Sequence, residues 1–346
     1  MEDMNNWMMP AEWAEQERVW LAYPRDNYTI GDEPVSREAA YAAWAAVANA
    51  IVEFESVTAV VDPSSLADAK KRLDARIAII EARLDDAWMR DIGPTFVLDS
   101  EGALGGVDWT FNGWGANLWA MWERDREIAK VVSDSANAHH LPSALVNEGG
   151  GIHVDGEGTV LLTETVQLDP MRNPYQTKER VEWEMARTIG ATKAIWLPRG
   201  LHRDYGSPGT RGHVDMVACF AKPGTILLHW QENPEHPDHA LSIELEKLLL
   251  SETDAAGRNL KVVRVPAPAQ QKDEHGFVDF TYINHLVVNG GVIACGFGDP
   301  DADSRAAEIL AEAYGRKVVT IDAREIFIRG GGIHCITQQQ PKSKAK

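Results

Sequence analysis

Apolar residues along the chain recur in a fixed order: two short runs, a helical stripe, then a third run. Thr159-Val160-Leu161-Leu162 and Thr225-Ile226-Leu227-Leu228 each follow a Gly-Thr turn and read as the second arm of a β-hairpin. A third hairpin is read over residues 282–288 and 292–297, because Asn289-Gly290-Gly291 between them supplies the positive φ angles of a tight turn. After the first hairpin Val181, Met185 and Ile189 share one helical face, Gly190 stands as a C-terminal cap, and 194–197 is a short strand. After the second, 237–250 reads as helix and 261–263 as strand. After the third the same pair falls at 304–314 and 317–321. The unit is ββαβ.

An earlier copy fits 92–98, 104–111, a helix through 127–132 and the strand before Asn147. The fifth copy is split, with 333–337 pairing 19–23, then a helix carrying Trp44, Val47 and Ile51, then 57–61. Two wordings strengthen the repeat. Gly-Gly-Gly-Ile-His stands at 149–153 and 330–334, and His-Val-Asp at 153–155 and 213–215. Five units that cannot bury their apolar faces alone predict a single α/β domain over 1–346, closed as a five-fold pseudo-symmetric propeller. Both chain ends fall in one unit, and 341–346 is expected to be a disordered tail.

Composition narrows the setting. The chain has 52 acidic and 34 basic residues, a formal charge of −18, which repels nucleic acid and anionic lipid and suits a cationic ligand. A surplus of carboxylates also simply keeps a protein soluble. No apolar run approaches the roughly 18 residues of a membrane span. Met1-Glu2-Asp3 opens without a basic stretch or secretory core, and there are three cysteines, Cys219, Cys295 and Cys335. A reduced, cytoplasmic location follows as an expectation. Oligomeric state stays open, a homo-oligomer included.

In such a ring, equivalent ends of the units converge on the axis, bringing Asp91, His153, His213, His285 and His334-Cys335 to five matching places. Packing does not require Cys, His and Asp to alternate there, whereas a site built from one residue per unit does. Cys335 follows Gly330, Gly331 and Gly332, which let backbone approach a ligand, and is the candidate nucleophile. Cys219 and Cys295 lie in apolar runs and read as packing residues. His213 and Asp215, two apart on an expected strand, would face one substrate as a proton shuttle beside an anion. The same His-x-Asp is also compatible with a hydrogen-bonded core pair, and His153, Asp155, His213 and Asp215 with a metal. Trp88 and Asp91 could stack and grip a planar cation, and Glu148 adds a carboxylate at the mouth of a unit.

Four stretches, Trp88-Met89-Arg90-Asp91-Ile92-Gly93-Pro94, Asn147-Glu148-Gly149-Gly150, Gly212-His213-Val214-Asp215 and Gly331-Gly332-Ile333-His334-Cys335-Ile336-Thr337, closely resemble the agmatine deiminase branch of the guanidino-group-modifying enzymes. The resemblance spans nearly the whole chain, from Met9-Pro10-Ala11-Glu12-Trp13 to Gln338-Gln339-Gln340-Pro341. It implies the pentein fold, no metal or organic cofactor, and hydrolysis of a small cationic guanidine, agmatine, to N-carbamoylputrescine and ammonia. It further implies Cys335 as nucleophile, His213 as general acid and base, and Asp91 and Asp215 as the carboxylates that hold the guanidinium. The loop 202–211 departs from that branch, and Met216 follows Asp215 where asparagine is usual. The loop is expected to cover the substrate tail, with Asp204 or Glu148 meeting an ammonium, or Arg211 meeting the carboxylate of a guanidino acid such as arginine. A deiminase or amidinotransferase for such an acid, a non-catalytic polyamine-binding protein and a cysteine protease are the competing readings.

Overall fold

The computed structural model describes residues 7–25, 34–270, 272–273 and 276–344. Among them are five sheets of three or four strands and one two-stranded ribbon. Each sheet repeats one construction: an antiparallel pair, a helix, then a strand parallel to the second. Thr95–Leu98, Leu104–Thr110 and His139–Val146 make one such unit. Ile152–Val154, Thr159–Thr163 and Lys193–Leu197 make the next. Ala218–Lys222, Thr225–Trp230 and Lys261–Pro266 follow, then Leu286–Val288, Gly291–Gly296 and Lys317–Asp322. The last unit joins the chain ends, since Thr337–Pro341 lies antiparallel to Gln16–Tyr23, which lies parallel to Ser56–Val61. This unit carries an unforeseen fourth strand, Ala78–Glu81. The result is the five-unit α/β propeller.

Local chemistry explains the connecting helices. Lys178–Ile189 starts where the Thr177 hydroxyl accepts the Arg180 N–H and stops at Gly190 with φ 72°. Pro300–Tyr314 starts at Asp299, whose side chain accepts the Ala302 N–H, with Pro300 in its first turn and Gly315 past its end. The predicted inward faces are buried, Val181, Met185 and Ile189 in one helix and Trp44, Val47 and Ile51 in Pro34–Ile51. The central strands read as unbroken apolar runs because both of their faces are covered, as in Thr159–Thr163.

The C-terminus differs from expectation. Pro341 ends a buried strand, the Lys342 N–H donates to the Glu15 carbonyl, and the Lys344 N–H donates to the Gly102 carbonyl. Backbone hydrogen bonds thus order the chain through Lys344, while 345–346 lie outside the described residues.

Candidate active site

Before its first strand, each unit tightens into a turn, and these turns meet at the axis. Met89–Ile92 precedes Thr95–Leu98, Gly149–Gly151 precedes Ile152–Val154, and Val214–Met216 precedes Ala218–Lys222. Asn284 and Cys335 hold the matching places before Leu286–Val288 and Thr337–Pro341. His213 and Asp215 therefore do not share a strand face: Val214–Met216 is a 3₁₀ turn. They converge because that turn closes over Gly150. A Cβ on Gly150 would lie 2.5 Å from His213 Nδ1 and 3.0 Å from both Asp215 Oδ2 and Asp91 Oδ1, so glycine alone permits the approach.

Two expected members lie elsewhere. His153 accepts the Phe220 N–H at 3.2 Å and faces Glu12, 3.7 Å away. His285 pairs with the Tyr314 hydroxyl at 2.9 Å, and burial pushes its pKa down to about 4. The sequence match was one residue out of step, because the axial residue of that unit is Asn284. Asp155 accepts the N–H groups of Glu157 and Thr159 within its own turn, leaving the four-donor metal arrangement unassembled. Among the described residues no group of three or more His, Cys, Asp or Glu is placed to hold a metal ion.

Cys335 Sγ lies 3.6 Å from Asp215 Oδ2 and receives a hydrogen bond from Asn284 Nδ2 at 3.2 Å. Burial pushes the Cys335 thiol well up, and Asp215 and Asp91 add to the effect. Asp91 accepts the Trp114 indole N–H at 2.8 Å and the Gly150 N–H at 3.0 Å. Burial, with Glu148 and Asp215 adding to it, raises the Asp91 pKa to about 6 although His213 and Trp114 oppose this. For His213 burial acts downward, but Asp91, Glu148 and Asp215 outweigh it and lift its pKa to about 9. Asp215 is buried too, yet the His334 imidazole, 2.8 Å away, holds its carboxyl below the usual range. His213 Nδ1 and Asp215 Oδ1 are both buried without a hydrogen-bond partner.

Of these groups Asp91 and Cys335 open onto a narrow pocket lined by Trp88, Trp114 and Trp119, by Pro208, Gly209 and Thr210, and by Arg329 and Gly330, while His213 and Asp215 sit behind them. Loop 202–211 thus lines the cavity through its last residues. Sequence reasoning singled out Trp88 but missed Trp114 and Trp119, which stack with centroids 5.3 Å apart. The strained backbone at Trp114, φ 57°, leaves no periodic signal. A Cβ on Gly331 would meet the Trp88 ring at 2.8 Å and Cys335 Sγ at 3.0 Å, which accounts for glycine beside the nucleophile candidate.

The expected tail residues are placed differently. Glu148 lies not at the mouth but wholly buried behind the imidazole, receiving Arg172 Nε on both oxygens at 3.0 and 3.1 Å and facing His213 Nε2 at 3.2 Å. Burial works against its charged form, but Arg172 and His213 hold its carboxyl below the usual range. Asp204 accepts the N–H groups of Thr210, Gly212 and His213 at 2.6, 2.7 and 3.1 Å. Its oxygens fold the loop rather than face an ammonium. Arg211 donates from Nη1 to both Asp169 oxygens, at 3.0 and 2.8 Å, with a third of its side chain exposed. Arg172, absent from the sequence reading, ties Glu148, Asp169 and the Thr210 carbonyl together.

Five ββαβ units with this axial set define a pentein-type α/β propeller of the guanidino-group-modifying kind. The chain belongs to the Porphyromonas-type peptidyl-arginine deiminase family, whose model matches residues 8–341. It is 56% identical to the "Putative agmatine deiminase" of Streptomyces coelicolor over 97% of this chain and 99% of that protein. It is 39% identical to the agmatine deiminase of Pseudomonas fluorescens over 96% and 95%. Among solved structures it superimposes on the agmatine deiminase of Enterococcus faecalis with a TM-score of 0.89 at 34% identity, covering 97% of this chain and 96% of that one.

Proposed function

We propose that the protein hydrolyses agmatine to N-carbamoylputrescine and ammonia through a covalent thiouronium on Cys335. The observation that carries this reading is the meeting of one thiol, two carboxylates and one imidazole at the floor of a tryptophan-walled pocket that Cys335 and Asp91 line. A guanidinium carbon is a weak electrophile, so the site must hold the cation, supply a thiolate and protonate the departing nitrogen. Asp91 and Asp215 fix the guanidinium, and as that cation enters, the Cys335 thiol loses its proton to solvent, to be regained when the neutral product leaves. The thiolate then attacks the guanidinium carbon. As the C–N bond breaks, His213 gives its proton to the leaving ammonia, and a thiouronium cation remains on Cys335. Water adds to that carbon with His213 taking one of its protons. Collapse releases the urea and the thiolate, and the second proton converts ammonia to ammonium.

An amine tail suits the cavity better than a carboxylate tail. Arg329, the arginine of the lining, donates to the Glu325 carboxylate at 2.8 Å and to Ser36, and Arg211 is held by Asp169. The relatives named agmatine deiminase, similar along nearly their whole length, support the same choice. Ammonia release from agmatine, arginine and 4-guanidinobutyrate, measured side by side, tests it. Agmatine is expected to lead, and a preference for arginine overturns the assignment.

Two further expectations follow from the geometry. Because Asp91 must be ionised and His213 protonated, kcat/KM should rise through about pH 6 and fall above about pH 9. Activity that keeps climbing past pH 10 would remove protonated His213 from the mechanism. Arg211→Ala loses an ion pair whose arginine is one-third exposed, of a kind that contributes about 1 kcal/mol or less, so agmatine turnover should stay within roughly fivefold of wild type. A loss much larger than that would give Arg211 a place in recognition.

No helix among the described residues is long and apolar enough to cross a membrane.

A further inference from the structure

Behind the catalytic set lies a row of buried ionisable side chains that the proposed reaction leaves unused: His334, Glu12 and Arg90. Asp215 is the first link of that row. Its Oδ2 meets His334 Nδ1 at 2.8 Å, and the other ring nitrogen, Nε2, meets Glu12 Oε1 at 2.7 Å. The same Glu12 oxygen lies 3.6 Å from Arg90 Nη1. Glu12 precedes the strand Gln16–Tyr23, and Gln16 Nε2 donates to its carbonyl at 2.8 Å, so the N-terminal end of the chain is fastened beneath the nucleophile turn.

Hydrogen-bond chemistry fixes the charge of the row. Glu12 is ionised, with Arg90 and His153 at 3.6 and 3.7 Å from its two oxygens, and Asp215 Oδ2 already accepts the Cys335 thiol at 3.6 Å. A carboxylate only accepts, so a ring bonded to one on each side carries a proton on both nitrogens and is an imidazolium. Charges then alternate along Asp215, His334, Glu12 and Arg90, which is how four buried ions are tolerated. Burial and Arg90 oppose a charged His334, but Glu12 and Asp215 outweigh them and raise its pKa. Burial likewise opposes a charged Glu12, while His334, His153 and Arg90 hold its carboxyl well below the usual range. His285 also faces His334, and His213, Asp91 and Cys219 face Asp215.

Asp91 supplies the contrast. It too is a buried axial carboxylate, but its nearest imidazole nitrogen, on His213, is 3.9 Å away, and burial leaves its pKa at about 6. Asp215, bonded to the imidazolium, stays below the usual range although it is equally buried. With Oδ2 occupied by His334, Asp215 Oδ1 is buried and has no hydrogen-bond partner among the described residues.

We infer that Glu12 and His334 are positioning residues for the guanidinium: Glu12 keeps His334 protonated, and the imidazolium keeps Asp215 ionised with Oδ2 occupied, leaving Oδ1 to receive a substrate N–H. The inference rests on Asp215 being one of the two carboxylates of the proposed binding site.

Ring nitrogens report their protonation directly in NMR spectra of ¹⁵N-histidine-labelled protein, with His334 identified by sequence-specific assignment. Without substrate at about pH 7.5, where an ordinary histidine is mostly neutral, both His334 nitrogens are expected to be protonated in wild type. Glu12→Gln is expected to lower the His334 midpoint by at least about one pH unit, a tenfold loss of proton affinity. A neutral His334 in wild type, or a midpoint that Glu12→Gln leaves unmoved, overturns the inference. The kinetic arm uses His334→Asn, which brings an amide donor but no charge. Asp215 should then titrate in the range of Asp91, so from about pH 8 to about pH 6 kcat/KM is expected to fall at least about tenfold further than in wild type, through KM. A loss of the same factor at every pH would show a bracing role alone and overturns the inference as well. The NMR arm needs no substrate, so failure of the agmatine assignment is separable: wild type would be inert towards agmatine with His334 still charged.

Discussion

Cys335→Ser is expected to release no measurable ammonia from agmatine while melting within a few degrees of wild type. The replacement is nearly isosteric at a buried position, so packing changes little. Chemistry changes greatly, because a serine hydroxyl is far harder to ionise than a thiol and nothing placed at the sulfur is a base strong enough to take its proton. Asp215, 3.6 Å away, is held as a weak base by His334, and His213 already carries a proton under most conditions because Asp91, Glu148 and Asp215 lift its pKa to about 9. A loss of at least about 10⁴-fold is the expected scale for a missing nucleophile. Cys219→Ser and Cys295→Ser should stay active by comparison, since burial pushes the Cys295 thiol up to about 12 and the Cys219 thiol higher still, and neither lines the cavity. Trapping on a slowed variant should locate the covalent adduct on the Cys335 peptide. An adduct on either other cysteine, or turnover surviving in Cys335→Ser, sinks the assignment.

Arg172→Met should be the most destabilising single change near the site. Arg172 and Glu148 are both fully buried, and the guanidinium reaches both Glu148 oxygens, Asp169 and the Thr210 carbonyl. Removing the arginine leaves a buried carboxylate with His213 as its one remaining cationic neighbour, and breaking one partner of such a pair costs about 3–5 kcal/mol. Urea unfolding should show a midpoint shift of that size. Arg211→Ala removes a neighbour of the same Asp169 from a partly exposed pair and should cost under about 1 kcal/mol. Equal losses for the two variants would mean that the buried pair is not what fastens loop 202–211 to the unit beginning at Ile152. Activity should fall with Arg172→Met even below the unfolding transition, because Glu148 then no longer holds the imidazole at 3.2 Å in its place.

The sequence by itself determined the architecture, because every part of it is written locally. Hairpin turns such as Asn289-Gly290, helix caps at Gly190 and Gly315, and the period of Val181, Met185 and Ile189 each state their own geometry within a few residues. Their fivefold recurrence then forces closure, since a unit with two apolar faces is stable only between neighbours. Cys335, Asp91, His213 and Asp215 were legible for the same reason, as chemically conspicuous residues at matching places in the repeat.

Tertiary structure alone decided which neighbour in each turn faces the axis and what each carboxylate meets. Asn284 and His285 are adjacent in sequence, and a one-residue step in a tight turn points a side chain in a different direction, so the histidine faces Tyr314 while the amide reaches Cys335. Glu148 and Asp204 looked like open anions because their partners are remote or main-chain. Arg172 lies 24 residues from Glu148, and the groups that fill Asp204 are N–H donors that no side-chain pattern records. The same holds for the clamp on Asp215, where His334 stands between it and Glu12, 119 residues from one and 322 from the other. A buried charge takes its role from whatever long-range fold closes around it, and that information is spread over the whole chain rather than held in any one segment.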